Sequence, residues 1–297
     1  LASRLDVRTL GLWRANLDGI PLDLASHLLP RATWLRFGLL THLHLHARTQ
    51  TFYADRPAPR RRVAVRRTSM LALLESLRRS VQTLAPRRAR SEWADYERTH
   101  AYSDETQKAK EATVSSWLGR LRPRQVWDLG ANVGRYGRIA AAQGAYAVCF
   151  DADPAVVETA YRDGRAERRR DFLPLVVDLA NPSPGLGWEG RERDSLEARG
   201  RADALLALAL VHHLAVGRNV PLPHLARWMA RLGGAAIVEF VPKDDPQVRR
   251  LLRSRRDVFP DYTQQAFEGA FGRVFRLEAR EPLAASGRVL YLWRANG

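Results

Sequence analysis

Gln125-Val126-Trp127-Asp128-Leu129-Gly130-Ala131-Asn132-Val133-Gly134-Arg135-Tyr136-Gly137 decides the fold of this 297-residue chain. Val126, Trp127 and Leu129 form a short apolar strand with an acid near its end. Gly130 and Gly134 then let the backbone turn tightly and approach a ligand with no side chain between. Residues 136–142 continue with small and apolar positions suited to a helix packing on a sheet. Strand, glycine turn and helix in this order build a nucleotide-type site at the carboxyl end of a parallel sheet.

The spacing narrows the ligand. A dinucleotide fold uses G-x-G-x-x-G, whose middle glycine lets a pyrophosphate sit on the helix N-terminus. Asn132 occupies that middle position, and no G-x-x-x-x-G-K-[ST] phosphate loop occurs in the chain. What stands here, Asp-x-Gly-x-x-x-Gly, resembles the first motif of class I S-adenosylmethionine-dependent methyltransferases. The resemblance implies a cofactor with no phosphate to cradle and a methionine ammonium met by carbonyls and an acid. It assigns Asp128, Gly130, Ala131, Asn132 and Gly134 to that cofactor. The alternative is a glycine turn in some other α/β protein.

Acids at the ends of the next strands decide between the two. The second strand, expected at 145–150, ends in Phe150-Asp151-Ala152-Asp153-Pro154. A carboxylate there can accept both ribose hydroxyls and disfavours a phosphorylated ribose, which is the role given to Asp151 with Ala152 beside it. Asp153 is placed as the cap of a helix beginning at Pro154, with two caps as the alternative. The third strand, expected at 172–177, runs into Asp178 and Leu179. In the family it resembles, an acid here accepts from the adenine amino group. Three acids at three strand ends favour the methyltransferase over a chance turn.

The fourth strand is expected at 204–210 and runs into Ala209-Leu210-Val211-His212-His213-Leu214. The corresponding family segment lies beside the methyl group and the acceptor, so Ala209 is assigned to the cofactor. His212 or His213 is a candidate general base, because histidine titrates in the useful range. The other reading is that a histidine only shapes the pocket, since methyl transfer can rest on alignment. Glu239 ends the fifth strand, where a buried acid either faces the acceptor or pairs with an Arg. The Asn/Asp-Pro-Pro-Tyr/Phe motif of amino methylation is absent.

Strands at 235–240, 274–279 and 288–294 complete seven, with helices at 154–162, 221–232, 246–254 and 262–271 between them. The expected fold is α/β: a Rossmann-like, doubly wound, mostly parallel sheet with an antiparallel last strand, preceded by a helical N-terminal region. The expected division is residues 1–90, helical and arginine-rich, and 91–297, the methyltransferase domain. Within the latter, the resemblance implies a lid over 91–122, where Trp93, Tyr96, His100, Tyr102 and Ser103, as cofactor neighbours or as packing, precede a helix over 104–121. Longer phrases are similar to a bacterial methyltransferase group related to a host-specific nodulation protein. They are Leu17-Asp18-Gly19-Ile20-Pro21-Leu22, Trp188 with Arg191-Glu192-Arg193-Asp194-Ser195-Leu196, the His212-His213 phrase, and Glu239-Phe240-Val241-Pro242-Lys243. That resemblance leaves the acceptor open and implies further sequence upstream, in keeping with a chain that begins at Leu1. Residues 191–196 are expected to form an acceptor wall.

Composition sets the remaining bounds. Hydrophobic residues make up 45% of the chain, an ordinary share for a globular protein. Cys149 is the only cysteine, which excludes internal disulfides and zinc-cysteine sites, and a reduced, cytoplasmic setting is expected. No apolar run spans a bilayer and no leader is visible. The protein is basic, at net charge +16, with 23 basic and 11 acidic residues in 1–125 against 25 and 21 in the remainder. That flank suits nucleic acid, an acidic small molecule or an anionic membrane surface, although nearly all its cations are Arg. Residues 55–67 and 87–90 read as solvated basic joints, an anion-binding arm being the alternative for the first. A helix from Thr68 aligns Leu71, Leu74, Leu77, Val81 and Leu84. His42, His44 and His46 are read as partly exposed helix residues and not as a metal site.

Together these features point to S-adenosylmethionine-dependent methyl transfer to oxygen or nitrogen of a small or glycan-like metabolite. The alternatives are an RNA or protein methyltransferase docking through the basic front, and a cofactor-binding module without turnover.

Overall fold

β1, Gln125–Leu129, is buried on both faces, which is why its sequence is nearly continuous in apolar residues and does not alternate. Val126 joins one core cluster with Val114, Trp117 and Leu118, while Trp127 and Leu129 join another on the opposite face. The computed structural model describes residues 1–53, 65–84, 104–253, 255–284 and 286–296. The chain divides into two compact units, Leu1–Ala89 and Arg90–Gly297.

In the second unit the elements run α1 (Asp104–Leu121), β1, α2 (Arg135–Ala142), β2 (Tyr146–Asp151), α3 (Pro154–Ala166) and β3 (Phe172–Val176). They continue with β4 (Ala202–Ala207), α4 (Leu222–Leu232), β5 (Gly233–Phe240), α5 (Pro246–Leu252), α6 (Gln264–Gly272), β6 (Phe275–Pro282) and β7 (Val289–Ala295). The sheet order is β3-β2-β1-β4-β5-β7-β6. Only β7 runs against the others, pairing antiparallel with both β5 and β6. The expected seven-stranded, doubly wound sheet is therefore present. Strand order reverses at β1, which pairs with β2 on one side and β4 on the other. A ligand crevice belongs at the carboxyl ends of such a pair.

Two strand ends lie three residues from expectation, and the first is β6, which runs on to Pro282 and not to 279. β4 stops at Ala207, not at 210, because Ala209 turns into the left-handed region at φ 52°. Leu208 and Leu210 are apolar for packing, which reads in sequence as a continuing strand. His212 and His213 consequently follow a turn and open a wide helical turn at His213–Gly217.

Among its described residues the first unit holds short helices, including Leu22–Leu28 and His46–Tyr53, and a long helix at Arg67–Gln82. A π-type turn at Leu40–Leu45 alters which histidines share a face. His44 is fully buried, contrary to the expectation of partial exposure. Its Nδ1 lies 2.8 Å from Ser26 Oγ and its Nε2 2.9 Å from Thr33 Oγ1, and its ring stacks on Trp34. Among the described residues no cluster of His, Cys, Asp and Glu could hold a metal, and no helix is long and apolar enough to cross a membrane. Residues 55–64 of the first basic joint, the 87–90 joint, and Trp93, Tyr96, His100, Tyr102 and Ser103 lie outside the described residues.

Candidate functional site

The turn after β1 spends its amides inside the protein. Gly130 and Ala131 N–H both donate to the Phe150 carbonyl at 2.9 Å. Asn132 N–H donates to Asp151 Oδ2 at 2.8 Å, and Val133 N–H to Asn132 Oδ1 at 2.7 Å. Gly134 N–H donates to the Ala131 carbonyl at 2.8 Å. Five consecutive amides thus have internal acceptors. Gly130 and Gly134 sit at φ 74° and 82°, and a β-carbon at Gly134 would collide with Phe172. Asn132 adopts φ 51°, a conformation Asn tolerates through its local side-chain hydrogen bond.

Asp151 closes β2 beside this turn. Its Oδ1 accepts from Asp153 N–H at 2.9 Å and its Oδ2 from Asn132, so each oxygen keeps acceptor capacity. Burial raises its pKa, against the pull of those backbone donors. Asp153 caps α3 through Ala155 N–H, and Pro154 opens that helix, as expected. Ala152, between the two acids, is exposed. Asp178 lies just past β3, where its Oδ1 accepts from Ala180 N–H at 2.9 Å and its Oδ2 lies 3.7 Å from the Arg218 guanidinium.

Other assigned residues turn inward. Asp128 is 2% exposed and its Oδ2 accepts from Gly137 N–H at 2.9 Å, satisfying a first-turn amide of α2. Burial pushes its carboxyl up to about 7. Asp128 therefore holds α2 onto β1 with one oxygen. The side chains of Ala131 and Leu179 are buried in core clusters, leaving only their backbone to a ligand. Ala209 lies in the turn after β4.

The ends of β4 and β5 gather charge that the sequence did not reveal. Glu239, fully buried, receives Lys110 Nζ of α1 at 2.7 Å and lies 3.4 Å from Arg288 Nη1. Arg288 also grips Asp245 through Nε at 2.7 Å and Nη2 at 3.1 Å. Two cations and two anions, all but closed to solvent, form one network. Glu239 thus makes the kind of pairing that the sequence offers beside a catalytic role. Lys110 was missed because Gln107-Lys108-Ala109-Lys110-Glu111 reads as a solvated helix face. Pairing of Glu239 with an Arg is one of its two expected readings, but Arg288 stands there only as the first residue of the strand expected at 288–294 and is not singled out as that partner.

His212 is fully buried, and neither ring nitrogen has a hydrogen-bond partner. Burial, then the neighbouring His213, Arg288 and Lys110, holds its pKa well below the usual imidazole range. His213 is partly buried, its ring centroid 4.1 Å from that of His212, and burial with Arg288 lowers its pKa to about 4. Both rings are neutral at pH 7. A cavity of about 570 Å³ lies beside this end of the sheet, with Ala215, Pro221, Leu222, Phe259 and Tyr262 in its wall. A broader depression of about 980 Å³ lies at the amino ends of β1 to β3, by Arg124, Tyr146 and Asp171. It is at the opposite end of the strands from the acids and is not this site.

The excursion between β3 and β4 folds back on itself, with a bridge between Leu186 and Arg193. Leu196 is buried and anchors the excursion, whereas Trp188 stays 79% exposed.

No family model matches the chain. It is 33% identical over 304 residues to nodulation protein NoeA from Rhizobium meliloti (strain 1021), covering all of this chain and 63% of that protein. The expected kinship with a nodulation-related group is borne out, and the chain spans just under two thirds of that relative's length. Among solved structures it is similar to N-methyltransferase NodS from Bradyrhizobium japonicum WM9, at TM-score 0.49 and 11% identity, covering 66% of this chain and 99% of that one. A magnesium protoporphyrin IX methyltransferase from Synechocystis PCC 6803 with bound SAM gives 0.46 and 18%, covering 68% and 90%. The fold rests on the strand order itself.

Proposed function

We propose that the chain is an S-adenosylmethionine-dependent methyltransferase acting on oxygen or nitrogen of a small or glycan-like acceptor. The observation that carries this reading is the closed set of amides from Gly130 to Gly134. A pyrophosphate needs free N–H donors at this turn. A ribose diol needs acceptors, and Asp151 offers them at the end of β2. S-adenosylmethionine would supply an electrophilic methyl group on sulfur. Asp151 would hold its ribose, with Gly130, Asn132, Gly134 and Ala152 around it. Asp178 and the Leu179 and Ala209 backbone would border the rest.

Catalysis is assigned mainly to alignment. Glu239 is engaged by two cations, and His212 is sealed, so neither is free to take a proton from bulk-facing substrate. A His213 ring nitrogen, neutral at pH 7, can orient the acceptor's nucleophile by accepting its hydrogen. The exposed Trp188 offers a flat apolar face of the kind a sugar ring packs on.

Titration calorimetry tests the cofactor assignment. S-adenosylhomocysteine is expected to bind, and Asp151→Ala to weaken it by about 10- to 100-fold through loss of charge-assisted hydrogen bonds. Binding of NAD in its place would sink the reading. Methyl-labelled cofactor incubated with fractionated extract separates an enzyme from a binding module, since the module yields no labelled product.

A further inference from the structure

The helix Arg67–Gln82 packs through its polar side. Ser76 Oγ lies 2.9 Å from His42 Nε2, and Ser80 sits where a β-carbon on Gly38 would stand. This close serine–glycine seam leaves the neighbouring aliphatic side of the helix outward. Met70, Leu73, Leu74, Leu77 and Val81 fall within an arc of about 100° at 3.6 residues per turn. All five are between 37% and 66% exposed. Soluble surfaces scatter such residues singly and do not align five of them.

Charge borders this arc. Arg67 and Arg78 follow along one edge, and Arg79 lies on the far side of the helix. The helix's one acid, Glu75, is held by Arg78 at 2.8 Å and Arg79 at 3.4 Å. We propose that this helix lies flat in the surface of a phospholipid bilayer bearing anionic headgroups, its aliphatic arc among the acyl chains and its arginines at headgroup level. An amphipathic helix with a basic polar face is the chemistry of interfacial binding, and long arginine stems let the charge stay in water. Sixteen residues with four charges cannot span the membrane instead. A nucleic acid would gain nothing from five aliphatic side chains. A second copy packed on this face would bring arginine edges together, with the only acid already engaged. The proposal is independent of the cofactor chemistry.

Co-sedimentation of the full chain with vesicles tests it. Binding is expected to vesicles of phosphatidylcholine mixed with phosphatidylglycerol, and to be much weaker with phosphatidylcholine alone. Leu74→Glu combined with Leu77→Glu should lower the bound fraction about tenfold by placing charge in the apolar face. Both positions are exposed, so the circular dichroism should stay that of the wild type. Three results overturn the proposal: no pelleting with anionic vesicles, anionic binding unaffected by the double substitution, or a lipid-free dimer that the same substitution dissociates. The last would assign the face to a second copy.

Discussion

Asp128 shows how one side chain in a ligand-type motif also serves as a brace. It sits in the motif that marks the site, yet its oxygen holds the Gly137 amide and it is sealed between β1 and α2. Its folded pKa, about 7, is raised above the ordinary carboxylate value of 3.8. A raised pKa contributes stability that is fully present below the unfolded value and lost as pH rises through the folded one. The loss amounts to about 4 kcal/mol between acid and neutral pH. His213 acts in the opposite direction: its depressed pKa contributes above the unfolded value of 6.5 and is lost as pH falls towards about 4. Asp128→Asn keeps an acceptor for Gly137 and removes only the carboxyl's titration. Urea unfolding should therefore show this variant gaining on the wild type from pH 5 to pH 8. A difference that does not vary with pH would refute the assignment.

At the scale of elements, the network of Lys110, Glu239, Arg288 and Asp245 joins α1, the end of β5, the loop before β7 and the start of α5. Asp245 also caps α5 through Gln247 N–H, so its two roles tie helix and network together. Glu239→Gln leaves Lys110 and Arg288 both short of charge in a dry site. It should cost about 3–5 kcal/mol of stability, read as a lowered urea midpoint. If activity fell with the midpoint unchanged, Glu239 would be a catalytic acid after all. This network also marks where the sequence stops being legible. β1 and the glycine turn were readable because their physics is local: a strand must be apolar, and a positive φ needs Gly or Asn. The order of acids at Asp151 and Asp178 was readable because alternation of strand and helix places strand ends regularly. The end of β4 was not, since Leu208 and Leu210 are apolar whether strand or turn, and an alanine at φ 52° has no signature. The partner of Glu239 was not, since Lys110 is 129 residues away and lies in a polar run.

At the scale of the whole molecule, the sheet's core has a sharp beginning. Among the described residues, none before α1 belongs to its three apolar clusters, while Val114, Trp117 and Leu118 of α1 cover Val126, Ala204, Ile237 and Leu292. Removing α1 would uncover these residues and strip Lys110 from Glu239. Burial of three such side chains is worth about 2 kcal/mol each, so the loss approaches the whole stability of an ordinary domain. A chain starting at residue 104 should therefore unfold cooperatively, within about 5 °C of the intact protein's midpoint. One starting at residue 122 should show no cooperative transition. The same two ends address the expected lid. A chain starting at residue 91 retains Trp93, Tyr96 and Tyr102, and one starting at 104 lacks them. If those aromatic groups border the cofactor, S-adenosylhomocysteine should bind the longer chain about tenfold more tightly while both melt alike. Equal affinities would confine the cofactor site to α1 and the sheet. Unequal melting would instead make the segment part of the domain's packing, and the affinity difference would then carry no weight for a lid.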